Sequence, residues 1–104
     1  GDETLRGALR SYSDAVFESE TITATYGEGI TELDALLDRL EELGVNAANV
    51  RAPLPPVVGP LIHRLLELDP FRAPWERRVE LLRVETECLR TIRNALPALE
   101  SDKQ

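Results

Sequence analysis

The side chains that could do chemistry are few in this sequence. His63 and Glu67 stand four residues apart, so on a helix they would share one face, where they could form a hydrogen bond or supply two metal ligands. A zinc or calcium site needs further ligands, and no His-Glu-x-x-His motif, Cys/His cluster or EF-hand spacing supplies them. The sequence therefore predicts no metal, and His63 is interpreted as an ordinary exposed histidine.

Cys88 is the only cysteine, so the chain cannot form an internal disulfide. A reactive thiol needs an electropositive setting, whereas Glu85 and Glu87 are acidic neighbours, and Cys88 is expected to fill the core. No motif pairs a nucleophile with His63, and the Gly-Glu-Gly sequence at 27–29 lacks the lysine of a phosphate-binding loop. We expect no enzyme activity and no cofactor.

Arg78 and Glu85 interrupt the apolar side of a predicted helix over 74–96. Seven residues of helix span about 10.5 Å, which is too far for a direct bond between them. Because a buried unpaired charge is strongly unfavourable, each residue either pairs within the fold or lies on a part of the apolar stripe reserved for a partner.

Phe71 and Trp75 are the other candidates, because they place two large aromatic rings close together in the chain. They either close one end of a helical bundle or serve as docking anchors, a role in which tryptophan is enriched. The predicted partner-binding residues are Arg78, Glu85, Phe71, Trp75, Leu82 and Leu89.

The helix over 74–96 is the element around which the rest is organised. Pro74 marks its start, since proline fits the first turn of a helix, and Pro97 is expected to end it. At the angular spacing of a helix, one broad side of this segment is apolar and the other is charged. The apolar side carries Trp75, Leu81, Leu82, Cys88, Leu89, Ile92 and Leu96.

The first 45 residues predict two further helices. Apolar residues at spacings of three and four indicate a helix over 3–26, which the glycines at 27–29 are expected to break. A leucine stripe predicts the next helix over 31–43, with Gly44 as its stop, packed antiparallel on the first. Together they form a predicted helical hairpin.

The stretch 45–56 is predicted to connect the hairpin to a short helix over 57–68. Its Pro53–Pro56 segment is stiff because each proline fixes φ, and a helical turn at Asn46–Val50 is possible on this pattern. The same prolines are also compatible with a polyproline ligand for an SH3-like or WW-like groove. Both interpretations, the stiff connector and the ligand, are kept. Residues 98–104 are expected to form a polar tail.

Composition excludes several classes of partner. The 104 residues suit a single helical domain, and the absence of methionine suggests a domain excised from a larger protein. The net charge of −7 disfavours nucleic acid and anionic lipid, and residues 1–45 alone carry eleven acidic and three basic side chains. With no apolar run near the roughly 20 residues that cross a bilayer, we expect no membrane insertion. The single cysteine favours a reducing compartment, so we expect an intracellular location, cytoplasmic or nuclear.

Taken together, the patterns predict an all-α, up-down four-helix bundle. Its expected function is that of a protein–protein interaction or assembly module, which docks a partner helix or associates with a second copy of itself through an apolar helical face. The alternatives are a small-ligand or lipid-binding bundle, or a regulatory domain of a larger enzyme.

Overall fold

The computed structural model describes residues 2–45 and 53–102, apart from the side chains of residues 99, 101 and 102. These ranges contain helix α1 (Asp2–Glu42), helix α2 (Val58–Glu67), a 3₁₀ turn (Asp69–Phe71), helix α3 (Arg72–Asp102) and no strand. The all-α class is confirmed. The predicted four-helix bundle (3–26, 31–43, 57–68, 74–96) is corrected to three helices within the described ranges, because the first two predicted helices are one.

Helix α1 continues through the glycines at 27–29, where a break was wrongly predicted. A helical glycine is destabilising by only about 1 kcal/mol relative to alanine, so packing can override it. Gly29 is buried, and a Cβ atom built on it would collide with the ring of Phe71. This glycine therefore lets an aromatic ring lie directly against the helix backbone.

The end of α1 matches its prediction. Gly44 adopts φ 77°, the left-handed conformation that glycine tolerates best. The backbone N–H of Gly44 donates to the carbonyl of Glu41 at 2.9 Å, and that of Val45 donates to the carbonyl of Leu40 at 2.9 Å. These two bonds form a Schellman motif, which satisfies carbonyls that the helix leaves free.

Helix α2 begins and ends within one residue of its prediction, with Pro60 in its first turn. Before it, Pro53 to Pro55 are exposed and adopt no regular structure. The helical turn predicted at Asn46–Val50 lies outside the described residues.

Helix α3 overruns the end that Pro97 was predicted to impose. It begins at Arg72, which puts Pro74 in the first turn as expected, and it continues through Pro97 to Asp102. Proline removes one backbone hydrogen bond and crowds the carbonyl one turn earlier. Pro97 is exposed, so water can reach that carbonyl and the helix tolerates the ring. The segment predicted as a polar tail is helical as far as Asp102.

The chain divides into two compact units: a central unit of residues 26–75, and a terminal unit of residues 1–25 and 76–104. The core of the central unit is almost closed to solvent. It consists of five buried apolar residues flanked by partly buried ones, Trp75 and Phe71 among them. The leucine stripe predicted over 31–43 supplies three of the five. The buried residues are Leu33, Leu36, Leu40, Val58 and Leu68.

An ion pair joins the polar surfaces of α1 and α2 within the central unit. The Arg64 guanidinium donates through Nε and Nη2 to the two carboxylate oxygens of Glu32, at 2.7 and 2.8 Å, and through Nη1 to Glu67 at 2.6 Å. These hydrogen bonds, first those to Glu32, raise the pKa of Arg64. The arrangement links α1 and α2 at the surface of this unit, whose buried core holds the two helices together.

Candidate interaction surface

In the terminal unit, the first part of α1 packs against α3. On each helix, the buried and half-buried side chains recur at spacings of three and four residues and form a stripe. Such a stripe follows one side of a helix. On α1 its members are buried or half-buried: Leu5, Ala8, Tyr12, Ala15, Ser19 and Ile22. On α3 the stripe consists of Arg78, Leu81, Glu85, Cys88, Ile92 and Ala95, of which Leu81 and Cys88 are buried.

The two helices run antiparallel in this unit. Glu18 bonds to Arg77, while residues 3–11 line a shallow surface depression of about 350 Å³ together with residues 87–91. Residues later in α1 therefore lie opposite residues earlier in α3. Each residue of α1 has a fixed counterpart on α3 at the same level.

One edge of the helix pair is polar. The Arg77 guanidinium donates through Nε and Nη2 to the two Glu18 carboxylate oxygens, at 2.5 and 2.9 Å. The hydrogen bond from Arg77 lowers the pKa of Glu18, and the same contact raises the pKa of Arg77. Thr4, Ser11 and Thr91 border the depression near this edge.

A second edge is apolar and exposed. Leu82, Leu89 and Leu96 follow each other at intervals of seven residues on α3, with 51%, 43% and 40% of their surface open to solvent. On α1, Leu9 is 48% exposed and Val16, seven residues later, is half-buried. A seven-residue repeat keeps side chains on one line along a helix.

The apolar edges of the two helices lie on the same side of the unit. On a helical wheel, Leu9 and Val16 flank the α1 stripe opposite Glu18, and the three leucines flank the α3 stripe opposite Arg77. Since Glu18 and Arg77 touch, the polar edges share one side, and the apolar edges share the other. We call the latter side the open face: Leu9, Val16, Leu82, Leu89 and Leu96.

Arg78 and Glu85 lie next to the open face and are half-buried. The Oε2 atom of Glu85 is buried without a hydrogen-bond partner. A buried carboxylate oxygen without a donor is unfavourable. The predicted partner-binding residues Arg78, Glu85, Leu82 and Leu89 thus fall together on one unit.

Phe71 and Trp75 pack against the core of the central unit instead. The indole N–H of Trp75 donates to Asp34 at 3.0 Å, and the rings of Phe71 and Tyr26 meet edge to face with centroids 6.5 Å apart. Both aromatics have structural partners here, so their role as docking anchors stays a prediction.

Sequence reasoning missed the α1 contribution to the open face, namely Leu9 and Val16. The signal was present, because Leu9 and Val16 are seven residues apart, as are Leu82 and Leu89. The Glu18–Arg77 contact, by contrast, joins residues 59 apart in the chain, and no local pattern indicates it.

The residues considered for chemistry, His63 and Glu67, do not form a site together. His63 is exposed, and Glu67 bonds to Arg64. Across residues 2–45 and 53–102, no group of three or more His, Cys, Asp or Glu residues could hold a metal ion. In the same ranges, no helix has the length and apolarity to span a membrane.

A comparison of the chain with protein-family models, with curated protein sequences and with solved structures finds no match.

Proposed function

We propose that the protein is an assembly module whose terminal unit receives a helical surface of another polypeptide on the open face. The observation that carries the proposal is the line of Leu82, Leu89 and Leu96, each at least 40% exposed. Single exposed leucines are ordinary on protein surfaces, but an aligned set beside a second apolar helix edge is typical of an interaction site.

Burial of apolar surface would drive docking on the open face. Removing apolar surface from water is favourable by about 25 cal/mol per Å², and the half-exposed leucines supply that surface without a large rearrangement. A shallow surface depression of about 410 Å³ on α3 is lined by Leu89, Leu96 and Glu100, among others, so apolar surface continues along this end of the helix.

Charge then selects among partners. Arg78 and Glu85 border the open face with opposite charges, and a partner with complementary charges in the matching order is favoured over one with like charges. The acidic surface of α1 around Asp34 and Asp38 belongs to the central unit and is a separate feature.

Site-specific photo-crosslinking tests the proposal. A photoreactive amino acid replaces Leu89 on the open face or, as the control, the 67% exposed Leu66 on α2. Crosslinking in cells that express the protein should give a defined polypeptide adduct from position 89 and none from position 66. Absence of an adduct at 89, or equal adducts at both positions, would contradict a docking role for the open face.

A further inference from the structure

We infer that the terminal unit contains a conformational switch, in which α1 and α3 separate while the central unit stays folded. The buried carboxylate of Glu85 promotes this separation, because it holds the helix contact near the limit of its stability. The inference goes beyond the proposed function, since it needs no occupant on the open face.

Glu85 belongs to the stripe of α3 that packs on α1. It lies four residues after Leu81 and three before Cys88, and both of these neighbours are buried. Residues at these spacings share one side of a helix. The Glu85 side chain is half-buried, and its Oε2 atom is buried without a hydrogen-bond partner. This oxygen therefore lies inside the contact between the two helices.

The part of α1 level with Glu85 supplies no donor to this oxygen. Glu18 and Arg77 are in contact, and Glu85 is eight residues after Arg77. In the antiparallel pair its level is therefore eight residues before Glu18, between Ala8 and Tyr12 of the α1 stripe. Alanine has no side-chain donor, and the Tyr12 hydroxyl does not bond to Oε2, which has no partner.

Burial of this oxygen disfavours the closed helix pair. A carboxylate oxygen that is buried without a donor loses its hydration and gains no hydrogen bond in return. Water reaches it again when the helices separate, so the cost applies to the closed pair alone. Replacing a buried charged group by a well-packed apolar side chain is often neutral or stabilising.

The remaining core of the terminal unit does little to offset this cost. Its buried side chains, among the residues that the structure describes, are two leucines, an alanine and a cysteine. The buried core cluster of the central unit consists of four leucines and a valine. Smaller side chains remove less apolar surface from water, so the terminal contact is the weaker one, and local opening begins at such contacts. The buried terminal residues are Leu5, Ala15, Leu81 and Cys88.

Amide hydrogen exchange of the unaltered whole chain in dilute solution tests whether the helices separate independently. The best-protected amides of 3–25 and 76–96 should exchange at least about tenfold faster than those of Leu33 to Leu40. Equal protection of the two units would show that they open only together, and it would overturn the inference.

Substitution of Glu85 by leucine tests the cause of the separation. Glu85→Leu should slow exchange in 3–25 and 76–96 by at least about tenfold, because it removes the unpartnered oxygen. Glu87→Leu is the matched control on the same helix, where 65% of the side chain is exposed. It should change these rates by less than about threefold. Equal slowing by both substitutions, or none by Glu85→Leu, overturns the role of Glu85.

Substitution by glutamine distinguishes the carboxylate from added apolar packing. Glu85→Gln keeps the size of the side chain and removes its charge, and it should slow the same amides by about threefold. Slowing by Glu85→Leu without any slowing by Glu85→Gln would assign the effect to packing of the leucine and overturn the carboxylate as the cause. Circular dichroism checks that each variant keeps its helical content.

Discussion

The two units of this protein use the same kind of leucine-rich helix in different ways. In the central unit, five apolar side chains are closed off by residues of the same unit, and Val58 is only 1% exposed. In the terminal unit, each of the two helices buries one stripe of side chains. A second line of apolar side chains, the open face, stays about half exposed to solvent. The central unit thus encloses its apolar core, while the exposed line of the terminal unit is the surface that we propose for docking another polypeptide.

The largest expected effect is a loss of stability from truncating the central core. Leu33→Ala should lower the free energy of unfolding by about 3 kcal/mol, because it leaves a cavity among buried side chains. Leu89→Ala on the open face should cost less than about 1 kcal/mol, since water already reaches the side chain. Urea unfolding followed by circular dichroism in dilute solution measures both. Equal losses would remove the distinction between the units.

The second-largest expected effect is a loss of stability on replacing Gly29 by alanine, a substitution that normally stabilises a helix. Alanine normally stabilises a helix over glycine, and Gly7→Ala, where a Cβ meets open space, should stabilise the protein by about 0.5–1 kcal/mol. Gly29→Ala should instead destabilise it by about 2 kcal/mol, because the added methyl group collides with the Phe71 ring. Thermal unfolding compares the two. Stabilisation by both substitutions would show that the ring does not hold α1 at this point.

The hydrogen bond from Trp75 to Asp34 gives a moderate effect in the central unit. Trp75→Phe keeps a ring and removes the donor, and it should lower the free energy of unfolding by about 1 kcal/mol. In an Asp34→Ala background the same substitution should cost less, because the acceptor is already absent. A full cost in that background would mean that packing, rather than the 3.0 Å bond, accounts for the loss.

The Glu18–Arg77 contact gives the smallest effect, and it depends on pH. Arg77 lowers the pKa of Glu18 below its ordinary value of 4.5, so the contact stabilises the fold above pH 4.5 and this stabilisation is lost as the pH falls through the lowered pKa. The stability difference between the unaltered chain and Glu18→Gln should therefore shrink in acid. In an Arg77→Gln background this pH dependence should disappear, and its persistence would contradict the assignment.

Local sequence signals predicted the parts of the fold that depend on neighbouring residues. The leucine stripe, the Gly44 stop and the bounds of α2 all follow from spacing and turn chemistry within a few residues. The predictions at 27–29 and at Pro97 were wrong because helix breakers act through small local costs, which packing or solvent access can offset. At Gly29 the offset comes from Phe71, 42 residues away in sequence.

The candidate surface was partly visible in the sequence. Arg78, Glu85, Leu82 and Leu89 were identified from the pattern of one helix, since periodicity reports which side a residue takes. Periodicity does not report how much of an apolar side a neighbouring helix covers. The exposed edge, and the contribution of Leu9 to it, needed the pairing of α1 with α3.

Amide hydrogen exchange at low and high protein concentration tests most directly the claim that the terminal unit is completed by another chain. Amides of α1 before residue 25 and of α3 between 76 and 96 should exchange more slowly at high concentration, while those of Leu33 to Leu40 in the central unit should be unaffected. Exchange that is independent of concentration in both units would exclude a second copy as the occupant of the open face, and exchange that slows equally in both units would contradict the account.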